Sequence, residues 1–143
     1  MKIKNGFIAD PNFKVAFQSL FSRPVTAKQC LELNQAADEL DAHLRVILKS
    51  KFQIMEKYAK KDETGKMITE INGDVVFPDA DTKAKCAEEV MEILNEEYDI
   101  PLTSKVVVYD DEILLPVHYS LLRDLLDIKE RPKAAEPKVE VKA

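Results

Sequence analysis

From Thr26 to Lys60 the chain runs without a single Gly or Pro. Those two residues are the strongest breakers of regular backbone, so the stretch predicts one uninterrupted helix. At 1.5 Å per residue it would extend about 52 Å, longer than a typical globular helix. Apolar or small residues recur at Cys30, Leu33, Ala37, Leu40, Leu44, Ile47, Ile54 and Tyr58, three or four apart, or seven where Lys51 breaks the series. Leu48 and Met55 widen the stripe. A seam of this kind resembles half of a coiled coil and asks for a second helix along it.

The segment after the long helix supplies the reversal. Gly65, preceded by Asp-Glu-Thr, stops the helix. Asn72-Gly73, flanked by β-branched residues, predicts a β-hairpin with a type I′ turn, Met67–Ile71 and Asp74–Phe77 being its strands. Pro78 ends the second strand. Asp79 or Asp81 caps a further helix that runs to about Tyr98, with Ala84, Ala87, Val90, Met91 and Leu94 inward and Ile93 flanking. Charge argues that the two helices lie antiparallel. Six basic residues between Arg45 and Lys61 (Arg45, Lys49, Lys51, Lys57, Lys60 and Lys61) stand against one acid, Glu56. The later helix offers Asp79, Asp81, Glu88, Glu89, Glu92, Glu96 and Glu97. Folding back about Asn72-Gly73 predicts Lys51 near Glu88, Arg45 near Glu92 or Glu96, and Tyr58 near Ala84.

The ends are shorter. Residues 1–9 form a strand or a lead-in. Asp10-Pro11 opens a first helix with Phe13, Phe17, Leu20 and Phe21 on one face, ended by Arg23-Pro24. Residues 105–109 read as a strand, and a last helix starts near Pro116 with Leu121, Leu122, Leu125 and Leu126 inward. The expected fold is mainly α with some β: an antiparallel helical hairpin, a β-hairpin at its tip, and short N- and C-terminal helices packed at one end. Residues 1–128 form this single domain. Residues 129–143 have almost nothing to bury and are expected to be a disordered charged tail.

That tail carries a net charge of +2, so the −5 of the whole chain leaves −7 on residues 1–128. An acidic body does not suit a phosphate backbone, and nucleic acid is disfavoured as a partner. No run reaches the ~18 apolar residues of a membrane span, and "MKIKNGFIAD" lacks the apolar core of a secretory leader, so a cytoplasmic location is expected. Cys30 and Cys86, in helical patterns, read as reduced core residues. His43 and His118 have no Cys, Asp or His at metal-ligand spacing on a shared face; His43 reads as a surface or boundary residue and His118 as structural. Asp79 to Asp81 lacks the further ligands of a calcium loop and reads as a helix cap. "YDDE" at 109 to 112 reads as a solvated turn. No serine or cysteine has a partnered base, and three glycines cannot build a phosphate loop. The expectation is therefore no enzyme, with no catalytic, cofactor-binding or metal-binding residue and no cofactor.

Four stretches taken together carry a resemblance: "MKIKNG", "RPVTAKQCLELNQAADELD", "MEKYAKKDETGKMITEINGDVVFPD" and "LLPVHYSLLRDLLDI", in that order. The chain is similar to a family of small proteins encoded by tailed bacteriophages. These share the long helix, a "KYGxKDExG"-like exit, an "ENGxV"-like hairpin and a closing helix introduced by proline. Ala59 stands where that family usually has Gly. The resemblance covers about residues 1–128 and implies a phage context, with host cytoplasm or the virion as location. The function expected is that of an accessory protein acting by protein–protein contact, in virion or tail assembly or on a host protein, with self-association as a further expectation. The alternative is a nucleic-acid-associated factor using the basic face Arg45–Lys61.

Overall fold

A computed structural model describes residues 1–132. In chain order the elements are β1 (Lys2–Lys4), α1 (Asn5–Ile8), α2 (Phe13–Gln18) running into a 3-10 turn (Ser19–Ser22), α3 (Ala27–Tyr58), α4 (Ala80–Asn95), β2 (Glu97–Asp99), β3 (Val106–Tyr109), α5 (Pro116–Leu122) followed by a 3-10 turn (Arg123–Leu125), and β4 (Leu126–Lys129). The mainly helical architecture expected from the sequence is the one found: a long helix packed on a second helix, short helices at one end, and two small sheets.

The long helix begins at Thr26, whose hydroxyl accepts the Gln29 N–H at 3.1 Å and so satisfies one of the free amides of the first turn. It ends at Ala59, which is buried and extended at φ −67° and ψ 150°. This exit needs no left-handed residue, so alanine at position 59 costs nothing in backbone strain. Leu33, Ala36, Leu40 and Ile47 are buried along α3.

Asp79 caps α4 by accepting the Thr82 N–H at 2.7 Å. The face that α4 buries differs from the expected one. Cys86 is fully buried and Val90, Ile93 and Leu94 are partly so, whereas Ala84, Ala87 and Met91 face solvent. The helix is rotated by roughly a residue relative to the expectation, because two alanines contribute too little area to outweigh the Cys86–Ile93 side. The register along α3 also differs. Tyr58 reaches Glu89 rather than Ala84, its hydroxyl donating to Oε1 at 2.8 Å, and Lys57 joins the same oxygen at 3.2 Å. Among the described residues this is the α3–α4 ion pair; Lys51–Glu88 and the Arg45 pairs do not form. The antiparallel sense stands, since His43, fifteen residues before Tyr58, stacks on Tyr98 beyond the far end of α4.

Between α3 and α4 the expected hairpin is present, held by a single bridge between Thr69 and Val75 rather than by the strands expected over Met67–Ile71 and Asp74–Phe77, and it is one of two. The Gly65 N–H donates to Asp62 O and the Asp62 N–H to Lys66 O; eight residues later Gly73 donates to Glu70 O and Glu70 to Asp74 O. Gly65 and Gly73 have φ of +85° and +90°, and Asn72 does not have a positive φ. Each turn is therefore a three-residue loop closed by a glycine bulge, not the type I′ turn expected at Asn72-Gly73. Three further bonds, from Lys60 N to Val76 O, from Val76 N to Ile68 O and from Ile68 N to Lys60 O, close a ring of segments eight residues apart. The chain thus contains a short internal repeat that its side chains conceal.

Two other strands were not foreseen. Helix α4 stops at Asn95, and Glu97–Asp99 pairs antiparallel with β1, setting Lys2 opposite Asp99, Ile3 opposite Tyr98 and Lys4 opposite Glu97. Opposite charges face each other on one side of this ribbon while Ile3 is buried on the other. At the C-terminal side Leu126–Lys129 is a strand, parallel to β3, where the last helix was expected to continue. Leu121, Leu122, Leu125 and Leu126 are all buried as expected, against a core that includes Phe13, Phe17, Leu20, Val106 and Val108. The ordered chain passes the expected boundary at residue 128, because Lys129 completes β4 and Arg131 pairs with Asp111. The rest of the expected tail, 133–143, lies outside the described residues.

Candidate functional site

Two apolar surfaces remain open at the globular end. The first is the loop between β3 and α5. Its base is a clamp: the Arg23 Nη1 and Nη2 groups donate to the two Glu112 carboxylate oxygens at 2.6 Å each, and Nη2 also donates to Val107 O at 2.9 Å. The Tyr109 N–H donates to Glu112 Oε2 at 2.6 Å. These donors hold the Glu112 carboxyl down to about 2, the paired guanidinium being the largest cause. Outside the clamp Arg131 lies over the Tyr109 ring at 4.5 Å and donates to Asp111 Oδ2 at 2.9 Å. The acidic stretch 109–112 is the turn expected, with Asp110 and Asp111 exposed, but Glu112 is not solvated: it is an anchor.

What the anchor presents is apolar. Ile113 is 98% exposed, and Leu114, Leu115 and Val117 are also exposed. Behind them lies a cavity of about 250 Å³ walled by Leu20, Val108, Leu122 and Leu126, with Ser22, Arg23 and His118 at its edge. A loop with a fixed base and large aliphatic side chains in water gains nothing for the fold from those side chains, and contiguous exposed aliphatic groups mark contact surfaces.

The second surface is a groove of about 280 Å³ between α2 and α3. Its floor is Ile8, Phe13, Phe17, Leu40 and Leu44, and its lip carries Asp10 and the Lys14–Asp41 pair at 4.0 Å. Along α3 it continues into Leu48 and Phe52, each about half exposed. This is the part of the long helix that α4 does not cover, and the seam at Leu44, Leu48 and Met55 was legible from spacing alone.

The other residues considered from the sequence fall into structural places. His43 stacks on Tyr98 with ring centres 3.8 Å apart and meets Asn5 Oδ1 through Nε2 at 2.7 Å. Asn5 in turn donates to Ile93 O at 3.0 Å, so this stack ties α3 to α1 and α4. Burial lowers the His43 pKa, which favours the neutral ring. His118 lines the cavity behind Ile113. Cys86 is buried, and burial raises its thiol pKa, whereas Cys30 is exposed rather than in the core. Ser19, Ser22 and Ser120 each donate to a backbone carbonyl three or four residues earlier, which leaves these hydroxyls unactivated. Glu32, buried and missed by sequence reasoning, accepts the Thr103 N–H and hydroxyl and pins the loop after β2.

Of the basic face, Arg45, Lys49, Lys51, Lys60 and Lys61 stay exposed and Lys57 is engaged by Glu89. The solvent-facing stripe of α3 runs Asp38, Ala42, Arg45, Lys49, Gln53, Glu56 at spacings of three and four. A carboxylate stands at each end of the stripe, beside its cations. Among the described residues no helix is long and apolar enough to cross a membrane, and no cluster of three or more His, Cys, Asp or Glu could hold a metal ion. The arrangement offers surfaces for binding. Compared with models of protein families, with curated protein sequences and with solved structures, the chain shows no significant match.

Proposed function

We propose that the chain is a non-enzymatic accessory protein of the tailed-phage type that acts by protein–protein contact, either in virion or tail assembly or on a host protein. The observation that supports this reading is the clamped loop Ile113–Val117, in which Arg23 and Glu112 fix the base while aliphatic side chains stand in water. A loop ordered before it binds loses less entropy on docking, so a small apolar contact suffices for affinity. The place of action is then the host cytoplasm or the particle itself. The alternative, a nucleic-acid-associated factor on Arg45–Lys61, draws on exposed cations that share their face with Glu56 and border Asp38. A phosphate backbone prefers a cluster of one sign.

The test is affinity capture from infected cells with the tagged full chain and with the Ile113→Ser/Leu115→Ser variant, beside mass spectrometry of purified particles. One phage or host protein retained by the parent chain and lost by the variant supports the reading. Identical recoveries for the two chains remove the loop as the contact. A gel shift at low salt with steep salt dependence would favour the nucleic-acid alternative instead.

A further inference from the structure

The α2–α3 groove and the α3 stripe are related in a way that names their occupant. Ala37, Asp41, Leu44, Leu48, Lys51 and Met55 follow one another at alternating spacings of four and three along α3. They therefore share one stripe, and it lies on the groove side rather than under α4. When this stripe is read against its own reverse, with a two-fold axis beside residue 46, each position meets a complementary one. Leu44 faces Leu48 of the second copy, Ala37 faces Met55, and Asp41 faces Lys51. Half-exposed Phe52 arrives at the height of Leu40 and on the flank of Asp41, which with Lys14 forms the lip of the groove.

We infer that the open stripe of α3 is a self-association surface on which a second copy of this chain docks antiparallel, each copy placing Phe52 in the other's α2–α3 groove. Size and charge both point to this occupant. A cavity of about 280 Å³ accepts a phenyl ring with its neighbours Leu48 and Met55 at the margins. Its lip bears two carboxylates, Asp10 and Asp41, against one cation, Lys14, and Phe52 arrives flanked by Lys49 and Lys51. Leu40 in the groove floor and Phe52 lie twelve residues apart, about 18 Å along the helix, so one two-fold operation fills both grooves at once. A parallel pairing would instead place Asp41 on Asp41 and Lys51 on Lys51.

The inference deepens the protein-contact reading by naming one partner, but it uses a surface separate from Ile113–Val117, so either can fail without the other. Light scattering on the full chain at 100 µM is expected to give about twice the 16.3 kDa chain mass. Phe52→Asp is expected to return the single-chain mass with unchanged helical circular dichroism. Orientation is read by cross-linking in a Cys30→Ser background. An equal mixture of Asp41→Cys and Lys51→Cys chains should form a disulfide-linked dimer under mild oxidation, and either chain alone should not. A single-chain mass for the parent overturns the inference. So does a dimer indifferent to Phe52→Asp, or cross-linking of Asp41→Cys with itself.

Discussion

Arg23 sits one residue before Pro24, and from the sequence it marked only the end of a helix. In the structure it carries the base of the exposed loop through Glu112. Removing it in Arg23→Ala leaves a half-buried carboxylate without its partner. The expected loss is about 2–3 kcal/mol, between the values for an exposed and a fully buried pair, measured by urea unfolding at pH 7. The pH dependence follows from the direction of the shift. Glu112 has a folded value of about 2 against an ordinary 4.5. Its stabilising contribution is therefore complete above about pH 4.5 and is lost as pH falls from there through 2. The parent chain should lose stability over that window more steeply than Arg23→Ala. Equal slopes would show that the pair does not govern the acid response. Gly6 makes a different kind of demand: a Cβ there would stand 3.3 Å from Leu94 O, in the close contact between α1 and α4. Gly6→Val should cost about 1–3 kcal/mol through overpacking, with the β1–β2 ribbon the first region to lose amide protection.

At the scale of elements the tandem turns make the sharpest prediction. Gly65 and Gly73 hold the same conformation in equivalent turns, and a Cβ would meet nothing within 4 Å at either. Only the positive φ penalises a side chain there. Gly65→Ala and Gly73→Ala should therefore destabilise by the same amount, about 1 kcal/mol each, and Asn at either site should cost less than Ala. Unequal losses in thermal melts would mean the repeat is not energetically real. The turns also show what was legible in the chain. Gly65 was read as a helix stop and Gly73 as part of a hairpin turn, yet the octets 60–67 and 68–75 share little beyond that glycine and an acid three residues before it, so the repeat lies in backbone bonds that side chains do not advertise. The long helix was legible because its signals are local: no breaker, and apolar residues three and four apart. Strand β2 was not, because Glu96, Glu97 and Tyr98 are compatible with a helix and are drawn into a strand by Lys2, Ile3 and Lys4, nearly a hundred residues away. The buried face of α4 was misread for a related reason: alanine counts as apolar in a pattern but contributes little area when helices meet. Of the candidate surfaces, the α3 stripe was visible in spacing, whereas the role of Ile113 to Leu115 depends on a distant Arg23 that fixes the loop outward.

Across the whole molecule, packing declines from one end of α3 to the other. The large fully buried side chains Ile3, Leu33, Leu102, Val106, Val108 and Leu125 gather where the short helices and both sheets meet, and Ile47 is the last of that class along the long helix. Beyond it the tip is held by the Tyr58 and Lys57 bonds to Glu89 and by the ring of backbone bonds through Lys60, Ile68 and Val76. Few apolar contacts back those bonds, since Met67, Ile68, Val75 and Val76 are at best half-buried and Ile71 is fully exposed. Such a segment opens locally at a free energy below that of global unfolding. Native-state hydrogen exchange should then show the Ile68 and Val76 amides exchanging through an opening insensitive to low denaturant, while Leu40 and Leu125 exchange only with global unfolding. Glu89→Gln should speed the first pair, because Tyr58 and Lys57 lose a charged acceptor, and leave the second pair nearly unchanged. If all four amides share one denaturant-dependent free energy, the tip and the globular end are a single cooperative unit, and the bonds through Glu89 transmit core stability along the full length of α3.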